Sequence, residues 1–384
     1  MNDVYIVGID MIPFGRYPDR TVQELGAEAA LLALDDAGLS IRDMQALYCG
    51  NLMEAHLMVG QRILREIGQM GIPVVNTANA CATGATAFRE GLIAIKAGYH
   101  DLVLAVGAER MGRGLLGGGA RADGFVEEGV VGSATLPAMF AQLGTEHSRK
   151  YGTSFEQFAK VAVKNHHHST MNPKAMSRRE TPLEEVMSAE MISYPNTKLM
   201  CSINVDGAAA AIIASERATK RLGLMDRAIR VRASELTSGP HTPHEFATPD
   251  FNLVTQNCVK LAIEKSGVDI RDIDLIELHD CFATAEIVHY ENLGLCAAGE
   301  AGRLIDSGET ALGGRIPVNV SGGLLSKGHP LGATGIANLY EVSTHLRGEA
   351  GARQVAGARL GLTHVVGGSS DRGSACVIHI LEKA

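Results

Sequence analysis

The chain has 384 residues, 46% of them hydrophobic and 20% charged, with a net charge of −8 at pH 7. That length exceeds the ~100–200 residues usual for one domain, so two closely packed halves around a large core are expected. The acidic balance, with no basic run or aromatic-interleaved patch, argues against nucleic acid or an anionic membrane as the main partner. Seven cysteines stand singly, at positions 49, 81, 201, 258, 281, 296 and 376, with no CxxC pair. They read as free thiols in a reducing compartment. The N-terminus lacks the basic and apolar regions of a signal peptide, and no apolar run reaches the ~18 residues of a membrane span. The C-terminal Leu-Glu-Lys-Ala carries no peroxisomal or retention signal, so a cytoplasmic location in a bacterium or archaeon is expected.

Short apolar runs alternate with helical patterns, the mark of an α/β chain. A strand at Val4–Ile9 precedes a helix from Val22 to about Ala37, which carries Leu25, Ala29, Leu32 and Ala33 at helical spacing and is closed by Gly38. Strands follow near Ala46–Tyr48 and at Pro73–Asn76, then a small-residue helix from about Cys81 to Ala97, a strand at Leu102–Gly107 and, much later, one at Ala208–Ala214. The order then repeats. The second set comprises a strand at Ile229–Ser234, a helix at about Leu253–Ser266, a strand at Leu275–Leu278, a helix at about Ala283–Leu293 and a strand at Ile316–Val320. A helix at about Ala333–Leu346 and strands at Leu362–Val366 and Cys376–Ile380 complete it. Asp-Asp-Ala-Gly-Leu-Ser-Ile-Arg-Asp at 35–43 echoes Glu-Lys-Ser-Gly-Val-Asp-Ile-Arg-Asp at 264–272, so a duplicated unit is the economical reading, with halves at 1–225 and 226–384. Between Glu109 and Asn204 the first half carries an insertion, Gly-rich and then helical around Ala138–Tyr151 and Phe155–Ser169. Insertions of that length commonly form a lid or a ligand-binding subdomain.

Three places carry chemistry. Cys81 stands where a strand gives way to a helix, and the helix N-terminus is expected to lower its pKa and expose it. At the matching place in the second half, Gly328-His329-Pro330-Leu331-Gly332 holds His329 in a rigid turn, where it could serve as the base that a cysteine nucleophile needs. His279-Asp280-Cys281-Phe282 follows a strand end, where α/β sheets place functional groups. A zinc site of His279, Cys281 and His289 matches no common spacing. The Gly112–Gly117 match to GxGxxG is followed by more glycine and not by a helix, and there is no Walker A motif. The His166-His167-His168 run reads as a solvated or ligand-facing surface.

Cys81 with its small-residue helix, the Gly328–Gly335 turn and His279-Asp280-Cys281-Phe282 together resemble the thiolase superfamily, in particular the sterol-carrier-protein-2 type and archaeal thiolases. Lys150-Tyr151-Gly152-Thr153, Lys164-Asn165-His166, Asn172-Pro173 and Asp206-Gly207-Ala208 extend the resemblance along the chain. The resemblance implies a duplicated five-layered αβαβα sandwich with an inserted loop domain, about 110–203, that holds CoA. It implies Cys81 as nucleophile, His329 as its base and Cys281 as proton carrier. It also implies oxyanion holes from His279 with His329 and from the backbone N–H groups of Cys81 and Gly367, and substrate contacts from His147, Ser321 and Gly322. CoA is the implied co-substrate, with no permanently bound cofactor or metal. A homodimer paired near Pro73–Asn76 is the implied assembly, with a small zinc-ribbon/OB-fold subunit as a further partner.

The sequence departs from the common pattern at residues 364–373, where a Cys-x-Gly-Gly-Gly loop is replaced by His-Val-Val-Gly-Gly-Ser-Ser-Asp-Arg-Gly; this puts weight on Cys281, and around Asp371 the Arg372 side chain reads as part of a surface turn, the alternative being a contact to a carboxylate on an atypical acyl group. A ketoacyl or hydroxymethylglutaryl-CoA synthase and a non-catalytic acyl-CoA-binding subunit are the competing readings, disfavoured by the second thiol and by the intact set of residues. Acetoacetyl-CoA is the plain expectation for substrate, with a bulky or aromatic 3-oxoacyl-CoA such as benzoylsuccinyl-CoA as the alternative.

Overall fold

The computed structural model describes residues 3–112, 136–240, 251–369 and 373–384. The Gly-rich stretch after Gly112 and the pair Asp371 and Arg372 lie outside them. In the first half, β1 (Val4–Met11), α1 (Val22–Ala37), β2 (Leu47–Gly50), α2 (Val59–Ile67), β3 (Val74–Thr77), α3 (Thr83–Lys96) and β4 (Leu102–Glu109) follow in order. The insertion contributes α4 (Leu136–Tyr151), α5 (Phe155–Thr170), α6 (Leu183–Ser188), β5 (Met191–Ser193) and β6 (Asn196–Thr197), before β7 (Gly207–Ser215) and α7 (Glu216–Arg221). The second half runs β8 (Ile229–Ser238), α8 (Phe251–Ser266), β9 (Leu275–Glu277), α9 (Ala283–Asn292), α10 (Ala301–Asp306), α11 (Gly323–Ser326), α12 (Leu331–Arg347), β10 (Leu360–Ser369) and β11 (Gly373–Lys383).

Local signals explain the boundaries. Thr21 caps α1 in a reciprocal capping box with Glu24, and Gly38 ends the helix at φ 64°, a conformation that glycine adopts without a Cβ clash. Nine strands form one sheet in the order β3-β2-β4-β7-β1-β8-β11-β10-β9. From the β1–β8 seam outward, both halves repeat one pattern: two antiparallel neighbours, then parallel ones. The duplication is therefore present in the topology. The strand expected at Ile316–Val320 is reduced to one bridge, Val318 to Ile276. Pro317 has no N–H to donate, and Asn319 turns left-handed at φ 54° with its side chain accepting from Leu278 N, so no ladder continues.

Alternating side chains of β1 separate the layers. Val4 and Ile6 face a core containing Phe88 of α3 and Ile336 of α12, whereas Tyr5 and Val7 face Leu25 and Ala29 of α1. In the second half, Leu381 joins the inner core while Ile378 and Ile380 meet Val254 and Ala262 of α8. The result is αβαβα, with α3 and α12 as the central layer.

Small residues let those two helices meet end to end. A Cβ on Gly84 would stand 2.4 Å from Gly332 O, one on Gly335 would stand 2.3 Å from Ala85 N, and one on Gly107 would stand 2.2 Å from Gly332 O. No side chain fits these approaches, and the convergence brings the segments ahead of both helices together.

The insertion is tied to the second half by buried polar contacts. Lys164 of α5 pairs with Glu286 and donates to Tyr290 and to Val318 O, and Asn165 donates to Asp280 and Glu286. The histidine run is accordingly not a solvated or ligand-facing surface: only His167 is exposed. His166 is buried against Ser326 Oγ at 2.6 Å, and His168 bonds Asn319 O and accepts from Leu312 N. Burial first, then the nearby Lys164 charge, holds the pKa of His168 down to about 3. Among the described residues no helix is long and apolar enough to cross a membrane.

Candidate active site

Cys81 lies in a tight turn between β3 and α3. Ala80, just before it, sits at φ 49°, a left-handed conformation that strains an alanine by roughly 1–2 kcal/mol. Thr83 holds the turn: its hydroxyl donates to Ala80 O at 2.6 Å and accepts from Asn79 N at 2.8 Å. Gly367 of β10 closes over the turn, since a Cβ there would stand 2.6 Å from Cys81 N. The helix proper begins only at Thr83.

The expected depression of the Cys81 pKa is not found. Burial pushes the thiol up to about 12, helped by the Glu109 carboxylate and opposed by a bond from its own backbone N–H. The start of α3 lies two residues further on, at Thr83, and loss of water decides the direction. At rest Cys81 is a thiol.

His329 precedes α12. Its Nδ1 lies 2.8 Å from Thr334 Oγ1, and that hydroxyl gives its proton to Pro330 O at 2.9 Å. Thr334 must therefore accept from the ring, which places the imidazole hydrogen on Nδ1. Nε2 is left as a lone pair, buried and with no hydrogen-bond partner among the described residues. One ring nitrogen of His329, one of His279 and Cys81 Sγ all lie within 4.8 Å of one another. The two rings meet edge to face with centroids 5.1 Å apart. Burial lowers both imidazole pKa values, to about 3 for His329, so both rings are neutral and able to take or share a proton.

His279 and Cys281 follow β9, and the intervening Asp280 explains how they are held. Its carboxylate accepts from Leu324 N at 2.7 Å, from Leu325 N and from Asn165 Nδ2. It thereby caps α11, and Gly323 is required there because a Cβ would stand 2.1 Å from Asp280 Oδ2. Cys281 is buried, its pKa raised well above the ordinary value by burial first and then by the closeness of the ionisable Cys81 and Asp280. Its carbonyl accepts from Ser202 N at 2.9 Å, which joins the insertion to the site.

Cys81, His279, Cys281, His329 and Gly367 line one cavity of about 620 Å³, its open mouth included. The other three expected contacts lie elsewhere. His147 is buried between Thr153 Oγ1 at 2.9 Å and Glu291 Oε1 at 3.0 Å. Ser321 bonds Glu277 and Gly322 packs on Ser169, so both serve the base of α11 and neither lines the cavity. The metal-capable group among the described residues is Cys81, His279 and His329, not the His279, Cys281 and His289 set weighed on spacing.

Sequence reasoning missed several residues. Phe140, Cys201 and Asn204 reach the cavity from the insertion, where no periodic signal marks them. Glu109 is buried and accepts from Leu52, Met53 and Gly332 N–H groups, bracing the start of α12 against β4. Burial raises its pKa to about 7 despite those bonds. Its signal was a carboxylate closing an otherwise apolar strand.

A thiol beside a neutral imidazole of defined tautomer, with a second thiol in the same cavity, belongs to an enzyme that carries an acyl group on cysteine. Family comparison makes this specific: residues 4–186 match the thiolase N-terminal domain and residues 244–383 the thiolase C-terminal domain-like family. The chain belongs to the thiolase family. It is 40% identical over 382 residues to sterol carrier protein 2 of Oryctolagus cuniculus, covering 95% of this chain and 70% of that protein. It is 37% identical over 393 residues to an acetyl-CoA acetyltransferase of Methanothermobacter thermautotrophicus, covering 100% of both. Benzoylsuccinyl-CoA thiolase subunit BbsB of Thauera aromatica is 32% identical, over 95% of this chain and 94% of that one. The solved Ltp2-ChsH2(DUF35) aldolase has the same fold, with a TM-score of 0.79 at 24% identity over 98% of this chain and 97% of that one.

Proposed function

We propose that the protein is a thiolase that cleaves a 3-oxoacyl-CoA with CoA, or runs the reverse Claisen condensation, through an acyl group on Cys81. The observation that carries this reading is the buried Nε2 of His329, without a hydrogen-bond partner among the described residues and facing the same cavity as the Cys81 and Cys281 thiols. Cys81 gives its proton to His329 Nε2 and the sulfur attacks the 3-keto carbon. The oxyanion points to the Cys81 and Gly367 N–H groups, each such donor being worth roughly 3–4 kcal/mol of barrier. Collapse breaks the C2–C3 bond, and the electron pair leaves as a CoA-thioester enolate whose oxygen faces His279 and protonated His329. Cys281 delivers a proton to C2, and the CoA thioester that carried the enolate departs, leaving the shortened acyl group on Cys81. The incoming CoA thiol gives its proton to the Cys281 thiolate and attacks the thioester. Acyl-CoA leaves and His329 returns the proton to Cys81.

A decarboxylating synthase needs no proton carrier at the position of Cys281, and a non-catalytic subunit needs neither thiol. We read 1–225 and 226–384 as the two halves and 110–203 as the loop domain that holds CoA as co-substrate, with no permanent cofactor. A homodimer pairing along β3 is proposed because Val75, on that edge strand, is 42% exposed. A small zinc-ribbon/OB-fold partner is proposed because BbsB is named a subunit and the Ltp2 structure includes ChsH2(DUF35). Mass spectrometry after incubation with a panel of 3-oxoacyl-CoAs tests the reading: an acyl adduct on Cys81, absent in Cys81→Ala, is expected. Turnover by Cys81→Ala would end it.

A further inference from the structure

Behind the catalytic cavity, β9 and β10 pair in parallel, Gly361 with Leu275, Leu362 with Ile276 and Thr363 with Glu277, and there the ladder ends. Leu278 and His279 leave the sheet, and His279 goes on to line the cavity. Their buried backbone N–H groups therefore need partners outside the ladder. Leu278 N donates to Asn319 Oδ1 at 2.8 Å. His279 N donates at 3.4 Å to Nδ1 of His364, the residue that follows Thr363. A side chain of β10 thus takes over where its backbone pairing stops.

The same bond fixes the His364 ring. Nδ1 accepts, so the ring hydrogen sits on Nε2, which lies 3.3 Å from Thr255 Oγ1 of α8. The His289 ring of α9 meets His364 edge to face, with centroids 4.6 Å apart. All three residues are fully buried. Burial first, then the neighbouring His289, holds the His364 pKa well below the ordinary value, so the imidazole is neutral and keeps its Nδ1 lone pair. His364 does not line the cavity, and no step of the proposed reaction uses it.

We propose that His364 is a positioning residue for carbon–carbon cleavage: by accepting from the His279 backbone N–H, it holds the His279 imidazole where the enolate oxygen forms. This rests on the thiolase reading and deepens it, because there His279 faces the enolate and takes no part in acylating Cys81. Without an acceptor, the buried N–H turns to find one, and the imidazole on the same Cα turns with it. A displacement of about 1 Å costs a catalytic group up to ~100-fold in rate.

The test uses two substitutions of one shape. His364→Asn puts its carbonyl oxygen where Nδ1 stands and keeps the acceptor, whereas His364→Leu puts a methyl group there. Each is assayed for cleavage of the 3-oxoacyl-CoA that the unaltered protein cleaves fastest, from a panel beginning with acetoacetyl-CoA. Each is also assayed for exchange of labelled CoA into the matching shortened acyl-CoA, which passes through acyl-Cys81 and forms no enolate. Leucine should lower the ratio of cleavage to exchange by about 10–100-fold, and asparagine should keep it within about threefold of the parent. Loss of folded protein lowers both rates together and leaves that ratio unmoved. Should the leucine variant not fold, His364→Gln takes its place, since its longer side chain carries the amide toward Thr255 and away from the His279 N–H. An unmoved ratio in that variant, or an equal fall in the asparagine variant, overturns the inference while the thiolase reading stands. An unaltered protein that performs neither reaction overturns both.

Discussion

Replacing Thr334 by valine tests how the base is prepared. Valine keeps the shape but removes the oxygen that accepts from His329 Nδ1 at 2.8 Å and donates to Pro330 O. Both residues are buried, Thr334 fully and His329 to 4% exposure, so water does not take the oxygen's place. In the resting enzyme this leaves a buried N–H unsatisfied, which costs about 1–3 kcal/mol of stability. In the reacting enzyme His329 is an imidazolium, and the lost bond is charge-assisted. At about 1.5–3 kcal/mol, its removal slows acylation of Cys81 by roughly 10–150-fold. The neutral ring is also released to the other tautomer, in which Nε2 is a donor and useless as a base. Rapid-quench mass spectrometry of Cys81 acylation measures the step directly, and Thr334→Ser, which keeps the oxygen, should restore most of it. A folded Thr334→Val protein that acylates within about threefold of the parent would show that the hydroxyl does not set the tautomer.

Cys281→Ala should block carbon–carbon cleavage yet allow slow acyl exchange between a simple acyl-CoA and Cys81, because only cleavage needs a proton at C2; equal loss of both would remove Cys281 as the proton carrier. Since burial pushes the Cys81 thiol up to about 12, the thiolate fraction of the free enzyme should grow with pH. Iodoacetamide labelling should then rise about tenfold per pH unit from 7 to 10, and a plateau below pH 8 would mean that pairing with His329 outweighs desolvation. Gly367→Ala puts a methyl 2.6 Å from Cys81 N, so a strain of about 1–3 kcal/mol and a displaced Cys81 turn are expected, read as lower kcat with a lowered melting temperature. Val75→Lys on β3 should weaken the proposed dimer and its activity together, and sedimentation showing a fully active monomer at micromolar concentration would refute that coupling.

The duplicated α/β plan was legible because both halves repeat an order of elements, and caps such as Thr21 and Gly38 stand at helix ends. The pairing of Cys81 with His329 was legible for the same reason, each standing ahead of a small-residue helix at an equivalent place. Helix α2 was not foreseen; its short amphipathic run Val59–Ile67 follows a left-handed Met58 that no propensity predicts. The buried roles of His166 and His168 were hidden because their partners, Ser326, Asn319 and Leu312, are more than a hundred residues away in sequence. His147, Ser321 and Gly322 were singled out through family resemblance, and what places them in this chain is packing around α9 and α11.

The direction of the Cys81 pKa illustrates a deeper limit. A helix N-terminus is visible in sequence and favours a thiolate, but desolvation depends on what closes around the Cys81 turn, and that includes Gly367 from the far end of the chain. Burial acts against the thiolate and against the imidazolium separately, pushing Cys81 up to about 12 and His329 down to about 3. The neutral pair is therefore the resting state. An ion pair formed in the same cavity is attracted across a short distance in a medium poorer than water, which offsets much of both penalties at once. In the proposed mechanism, transfer of the proton is thus coupled to attack on the carbonyl, when charge moves from sulfur to an oxygen that backbone N–H groups can receive. Such a site stays chemically quiet without substrate and becomes nucleophilic only when the carbonyl is in place.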